Sequence, residues 1–129
     1  MSKILSIDIG TSRVKCALFD EAGAMSGLES LRLKRTESPD LQNAEEWFAV
    51  VCKLVKVSIA KAGDDVEAVA LTGNMHALLG VDATGRPVAP ARLWSDNRAQ
   101  RESDELNERF GKLLLEKFGN SSIPVFTLP

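Results

Sequence analysis

Apolar and polar positions along the chain follow two alternating periods. Residues 3–9, KILSIDI, are almost continuously apolar and β-branched, which predicts a strand buried on both faces. VKCALF at 14–19 predicts a second strand, and DEAG at 20–23 a tight turn in which Gly23 takes the positive φ of a short hairpin. A third, more exposed strand is predicted over 24–34. TESPDLQN at 36–43 is polar, contains Pro39 and reads as a loop. The period then becomes helical. Asn43 is the expected cap, Glu46 stands three residues on as in a capping box, and Trp47, Val51, Leu54, Val55 and Ser58 share one face. Gly63 is the natural stop. VEAVALT at 66–72 predicts another short strand, followed by a hairpin made of HALLGVD, a turn at ATGR, and PVAPARLW. Asp82-Ala83-Thr84-Gly85 echoes the turn chemistry of Asp20-Glu21-Ala22-Gly23. A second helix is predicted from about Asn97 to Phe118. Leu106, Phe110, Leu113, Leu114 and Lys117 mark one side; Glu105, Glu108, Arg109, Lys112 and Glu116 form a solvated side; Gly119-Asn120 ends it. The tail SSIPVFTLP carries Val125, Phe126 and Leu128, which predicts that it packs on something.

The order three strands, helix, strand, hairpin, helix predicts an α/β layer fold. The first three strands form an antiparallel meander. The strand after the helix joins beside the first, in parallel, by a right-handed crossover.

Composition narrows the classes of function. At 129 residues the chain fits one domain at most. Hydrophobic residues are 44%, charged residues 26% and the net charge is −2, so no general pull toward nucleic acid or an anionic membrane is expected. No apolar run reaches membrane-spanning length, and Met1-Ser2-Lys3 leads directly into a strand pattern, so no signal peptide is expected. Cys16 and Cys52 lie in apolar segments without CxxC spacing and read as buried thiols in a reducing cytoplasm. With one histidine and two distant cysteines, a structural zinc site is not expected.

The candidate chemistry begins at Asp8-Ile9-Gly10-Thr11-Ser12. A carboxylate at the end of an apolar strand is costly unless it is solvated or meets a cation. Gly10 lets a ligand approach the backbone closely. The amides of Gly10 to Arg13 can form an anion-binding concavity, to which Thr11 and Ser12 add hydroxyls and Arg13 a cation. Such a turn suits a polyphosphate, with Asp8 holding Mg²⁺ directly or through water. The competing reading is a plain hairpin turn built from turn-favouring residues.

The longer stretch IDIGTSRVKCALFDEAG resembles the first phosphate-binding hairpin of the FGGY carbohydrate kinases, in the actin and sugar-kinase superfamily, with Asp8, Gly10, Thr11 and Lys15 on the family pattern. DLQNAEEWF at 40–48 resembles the segment before the family's first helix, through Gln42, Glu45 and Trp47. LTGNMHALLGVDATGRPVAPARLWSDNRA at 71–99 is similar to the substrate segment of the xylulose kinases, with Met75-His76 as its Met-His pair, and FTLP resembles the start of a later motif. The resemblance covers essentially the whole chain.

It implies a ribonuclease H-like, actin-like ATPase lobe: a mixed sheet with helices, incomplete, in which residues 1–129 are the N-terminal part of the first lobe of a cytoplasmic sugar kinase. It implies ATP and Mg²⁺ as cofactors and a small sugar, D-xylulose, as substrate. Asp8 then positions the metal. Gly10, Thr11 and Ser12 donate to phosphate, Arg13 neutralises charge, and Lys15 either contacts phosphate or is a polar residue on a half-exposed strand. Met75 packs on the carbon skeleton and His76 donates to a sugar oxygen. Asn74, also placed on the substrate side, stands where a Gln is usual in xylulose kinases. Trp94 walls the pocket while Asp96 and Arg98 pair or reach the sugar; alternatively Trp94 is a core residue and Asp96 or Asn97 caps the next helix. WSDNR is also similar to gluconate kinases, so gluconate is the alternative substrate. The catalytic base is expected outside this chain, and the fragment alone is expected to be inactive. A non-catalytic interaction module, self-associating through surface left by a missing lobe, is the competing function.

Overall fold

The computed structural model describes residues 2–62 and 66–125. Its elements run β1 (Lys3–Ile9), β2 (Arg13–Asp20), β3 (Met25–Arg32), β4 (Leu41–Gln42), α1 (Ala44–Ala62), β5 (Val66–Gly73), β6 (Ala91–Arg92) and α2 (Gln100–Phe118). They divide into two compact units, Met1–Thr36 with Asn43–Asn74, and Glu37–Gln42 with Met75–Pro129.

The first unit is a four-stranded mixed sheet in the order β3-β2-β1-β5. β1 pairs antiparallel with β2, from Lys3 opposite Asp20 to Ile9 opposite Val14, and parallel with β5, ending at Ile9 beside Gly73. The meander and the parallel fourth strand are those the apolar pattern predicts. Strand alternation turns Leu5 and Ile7 into a core with Val14, Cys16, Leu18 and Leu54. α1 packs over β1, β2 and β3, and Trp47, Val50, Val51 and Val55 carry its inner face. Asn43 caps it by accepting the Glu45 N–H (2.9 Å). Glu46 accepts the Lys34 N–H (2.9 Å), which ties the helix start to the chain leaving β3. Lys61 near the helix end pairs with Glu29 on β3.

β1 is not buried on both faces as its composition predicts. Ile4 is 46% exposed, because α1 covers only the face that carries Leu5 and Ile7. The edge strand β5 is more open still, with Val69 and Leu71 exposed. Of the two cysteines, Cys16 is buried and Cys52 half-buried, and both are free thiols. Burial pushes the Cys16 thiol pKa up.

In the second unit, β4 pairs antiparallel with β6 inside a stretch that reads as loop in sequence. The predicted hairpin over 76–94 is reduced to isolated bridges, Leu78 with Arg92 and Val81 with Pro87. Prolines 87 and 90 lack the N–H groups a continuous ladder needs. The turn at its tip is as expected. Asp20 and Asp82 each accept N–H groups two and four residues ahead, and Gly23 and Gly85 take positive φ (78° and 81°).

α2 begins at Gln100, later than predicted, with Ala99 as a cap that makes no side-chain bond. Its inward positions are Ser103, Leu106, Asn107 and Leu114, while Phe110 and Leu113 are exposed. The tail decides this rotation. Asn107 exchanges two hydrogen bonds with the Ser122 backbone (2.7 and 2.8 Å), and the Ser103 hydroxyl donates to that of Ser122 (3.1 Å). Ser122 thus ties the tail to α2, while Phe126 and Leu128, on which the expected packing rests, lie outside the described residues. Gly119, left-handed at φ 72°, closes the helix as expected. The stop at Gly63 and the FTLP segment lie outside the described residues. No described helix is long and apolar enough to cross a membrane.

Two substitutions on the inner face of α1 are expected to diverge. Leu54, 2% exposed, fills the core, so Leu54→Ala costs about 2–5 kcal/mol of unfolding free energy. The Ser58 hydroxyl is buried without a hydrogen-bond partner, so Ser58→Ala is neutral or stabilising by up to about 1 kcal/mol. Urea unfolding of both variants checks the contrast.

Candidate functional site

The end of β1 places Asp8 and the turn that follows. Asp8 and Lys15 are cross-strand partners, and the ammonium lies 3.4 Å from the carboxylate with both side chains half-exposed. The cation that a carboxylate here requires thus comes from the adjacent strand, in a pair worth little by itself at this exposure. Gly10 donates its N–H to the Arg13 carbonyl (2.9 Å). That N–H is directed into the turn rather than toward a ligand, so the anion-donor reading of Gly10 gives way to a steric one. A Cβ at Gly10 would stand 3.0 Å from the Arg13 oxygen. Thr11 and Ser12 form the exposed tip. Arg13 reaches sideways, its Nε donating to the Ser30 hydroxyl of β3 (2.9 Å).

Asn74 belongs with this turn. Its backbone N–H donates to Ile9 O (3.0 Å), extending the β1–β5 pairing, and its Oδ1 accepts the Thr11 hydroxyl (2.8 Å). The Asn74 Nδ2 group is buried and has no hydrogen-bond partner. The structure therefore joins a residue expected on the sugar side to one expected on the phosphate side, through a contact between positions distant in sequence.

The remaining candidates lie in the second unit. Met75 and His76 follow β5 in a turn, both exposed. His76 is the one described non-glycine residue with positive φ (59°). The left-handed region is disfavoured for a residue with a Cβ, and such strain concentrates at functional turns. Two residues on, Leu78 exchanges backbone hydrogen bonds with Arg92 (2.9 Å each). This pairing links the Met-His segment to the stretch that carries Trp94, Asp96 and Arg98.

Asp96 is 7% exposed. One carboxylate oxygen accepts Arg92 Nη1 (3.0 Å); the other accepts Arg98 Nε (2.8 Å) and the Arg98 N–H (3.1 Å). Burial pushes its pKa up, but the hydrogen bonds from the Arg98 N–H, Arg92 and the Arg98 side chain outweigh it and hold the pKa below the ordinary carboxylate value. Asp96 pairs with Arg98, one of the alternatives left by the sequence, and the cap of α2 is Ala99 rather than Asp96 or Asn97. Trp94 is not a core residue, since it is 52% exposed. Sequence reading missed Arg92, Asp40 and Ser95. Ser95 Oγ donates to Asp40 Oδ1 (2.6 Å), and the Leu93 N–H donates to Asp40 O (2.8 Å). An Arg four residues before an Asp is a readable spacing; no local pattern marks the Asp40 carboxylate, whose partner Ser95 lies 55 residues away.

The N-terminal domain profile of the FGGY family of carbohydrate kinases matches residues 3–129. A xylulose kinase of Lactococcus lactis is 32% identical over 136 aligned positions, covering all of this chain and 27% of that protein. A gluconokinase of Bacillus subtilis is 30% identical over 112 positions, covering 83% of this chain and 22% of the relative. The crystal structure of a xyloylose kinase from Brucella ovis superposes with a TM-score of 0.82 at 29% identity, over 95% of this chain and 26% of that one. The chain thus spans about a quarter of the length of these proteins.

Two outcomes follow from the geometry. A carboxylate with a depressed folded pKa stabilises the fold above its unfolded value, about 3.9, and that contribution is lost as pH falls through the folded pKa. Asp96→Asn is therefore expected to cost about 1–3 kcal/mol at neutral pH, with the gap to wild type closing below about pH 4 in urea unfolding series. At position 76, His76→Gly is expected to leave stability within about 1 kcal/mol of wild type, while β-branched His76→Val loses at least about 1 kcal/mol, because a Cβ branch fits poorly at φ 59°.

Proposed function

The chain belongs to the FGGY family of carbohydrate kinases, and from that premise we propose that residues 1–129 form the N-terminal part of the first lobe of an ATP-dependent kinase. The enzyme transfers the γ-phosphoryl group to a hydroxyl of a small sugar, D-xylulose. The observation that carries this reading is the 32% identity to the Lactococcus lactis xylulose kinase across the whole chain.

In this reading the turn after β1 faces the polyphosphate. Ser12 donates from the exposed tip, the Thr11 hydroxyl being engaged by Asn74; Arg13 and Lys15 supply positive charge, and Gly10 keeps the turn tight. No group of three or more His, Cys, Asp or Glu side chains suited to hold a metal occurs among the described residues. One half-exposed carboxylate, Asp8, fits Mg²⁺, which keeps several waters and is bound through one or two carboxylates together with substrate phosphates. Bound with the nucleotide, Mg²⁺ supplies charge neutralisation at the phosphoryl oxygens. Met75 packs on the sugar carbons, His76 donates to a sugar oxygen and Trp94 walls the pocket. The base that accepts the hydroxyl proton is assigned to residues outside 1–129, and the enzyme is assigned to the cytoplasm.

Gluconate is the second reading. It is favoured by the Bacillus subtilis gluconokinase relationship and by two half-exposed guanidiniums, Arg92 and Arg98, around a single carboxylate near Trp94. A self-associating, non-catalytic module is a third, favoured by the open apolar edge strand β5.

The test is a chimera in which this chain replaces the matching part of the Lactococcus lactis enzyme, assayed for ADP formation. The chain alone is expected to show no turnover, and the chimera to phosphorylate D-xylulose with higher kcat/KM than D-gluconate. Asp8→Ala should lower its kcat by about 100-fold or more. A chimera that turns over normally with Asp8→Ala would remove Asp8 from the site; preference for gluconate would overturn the xylulose reading.

A further inference from the structure

Trp94 stands half-exposed between two buried neighbours, Leu93 at 3% and Asp96 at 7%. The Asp96 N–H donates to Leu93 O (3.0 Å), so Trp94 and Ser95 are the central residues of a four-residue turn. An exposed indole on a turn would ordinarily sample many orientations. This turn is held from both ends. On one side, Asp96 binds Arg92 in β6 and Arg98 beyond the turn. On the other, Asp40 binds Ser95 by its carboxylate and Leu93 by its carbonyl. Asp96 accepts three hydrogen bonds on its two oxygens, which commits most of its acceptor capacity to the turn.

We propose that Asp40 and Asp96 are positioning residues that hold the Trp94 turn in one conformation, so that the indole presents a preorganised platform to the C–H face of a polyhydroxylated substrate. Aromatic rings supply a large rigid contact area, and fixing that area beforehand removes the ordering cost from binding. The same clamp reaches the Met75-His76 segment, because Arg92 bonds Asp96 with its side chain and Leu78 with its backbone. Asp96 therefore acts on substrate through Trp94. The ligand's chemistry rests on the sugar-kinase reading; the clamp does not.

The experiment uses the ¹⁵N-labelled chain. Backbone order parameters across residues 93–98 are measured for wild type, Ser95→Ala, Asp40→Ala, the Asp40→Ala/Ser95→Ala double variant and Asp96→Asn, alongside D-xylulose titrations followed at the Trp94 indole N–H. Wild type is expected near 0.85, and the variants below about 0.6 at 94–96, with α2 unchanged. The double variant should be no looser than either single one, since both remove one bond. The sugar titration should weaken about two- to tenfold, the ordering cost of one immobilised side chain. Order parameters at 94–96 that stay at wild-type values in Ser95→Ala and Asp40→Ala overturn the proposal. Unfolding of α2 by Ser95→Ala also overturns it, because the contact would then support the whole unit rather than the turn. Loosening of the turn with no sugar response in any form sustains the clamp and counts against the sugar-pocket reading. Should Asp96→Asn unfold the second unit, the Asp40 and Ser95 variants decide the outcome alone.

Discussion

Strand β1 is hydrogen-bonded on both sides, antiparallel to β2 and parallel to β5, and the site of the first unit follows from that double pairing. The two ladders hold its register against α1. Leu5 and Ile7 then enter the core, while Asp8 emerges at the strand end opposite Lys15. A slip of one residue would carry Asp8 into the apolar core and Ile7 out of it, at the cost of an unsolvated carboxylate and of lost burial together. The parallel ladder also brings Asn74 to the Thr11 hydroxyl, since the Asn74 N–H is the next bond after the Ile9–Gly73 pair. Gly73 permits this closeness; a Cβ there would meet Ile9 O at 3.2 Å.

The second unit is held by different forces. Among the described residues, its buried apolar side chains are only Ala91 and Leu93, beside the polar Gln42, Asp96, Ser103 and Ser122. Large apolar side chains of α2, among them Phe110, Leu113 and Phe118, remain exposed, and Phe110 lies 5.3 Å beneath the Arg109 guanidinium. With little apolar burial, conformational choice falls to hydrogen bonds between residues distant in the chain. Such networks define one arrangement when every member is satisfied, as the three donors on Asp96 illustrate.

The difference between the units explains how much could be read from the chain. The β1–β2–β3 meander, the capped helix α1, the parallel β5 and the paired Asp20 and Asp82 turns are all set by local patterns: apolar runs, a capping Asn, and Asp-to-Gly spacings. Three features were not legible. The β4–β6 pair has two residues per strand, too few for periodicity to register. The face of α2 follows Ser103 and Asn107 meeting Ser122, polar residues that an apolar-stripe argument assigns to solvent. The Gly10 N–H, which composition offers to an anion, is directed to Arg13 O by the tightness of the turn.

The family, the strand order and the residue types at the candidate site are written in local patterns, because turn glycines, β-branched runs and motif spacings act over a few neighbouring positions. Which of those residues meet depends on the folded chain. It paired Asn74 with Thr11, placed Asp96 between two arginines, set Asp40 against Ser95 and put His76 in a left-handed conformation. Each of the three contact sets depends on backbone segments brought together by sheet register or turn closure, and the His76 conformation on the turn that follows β5. No local propensity encodes a contact between residues 40 and 95; the fold has to bring them within hydrogen-bonding distance first.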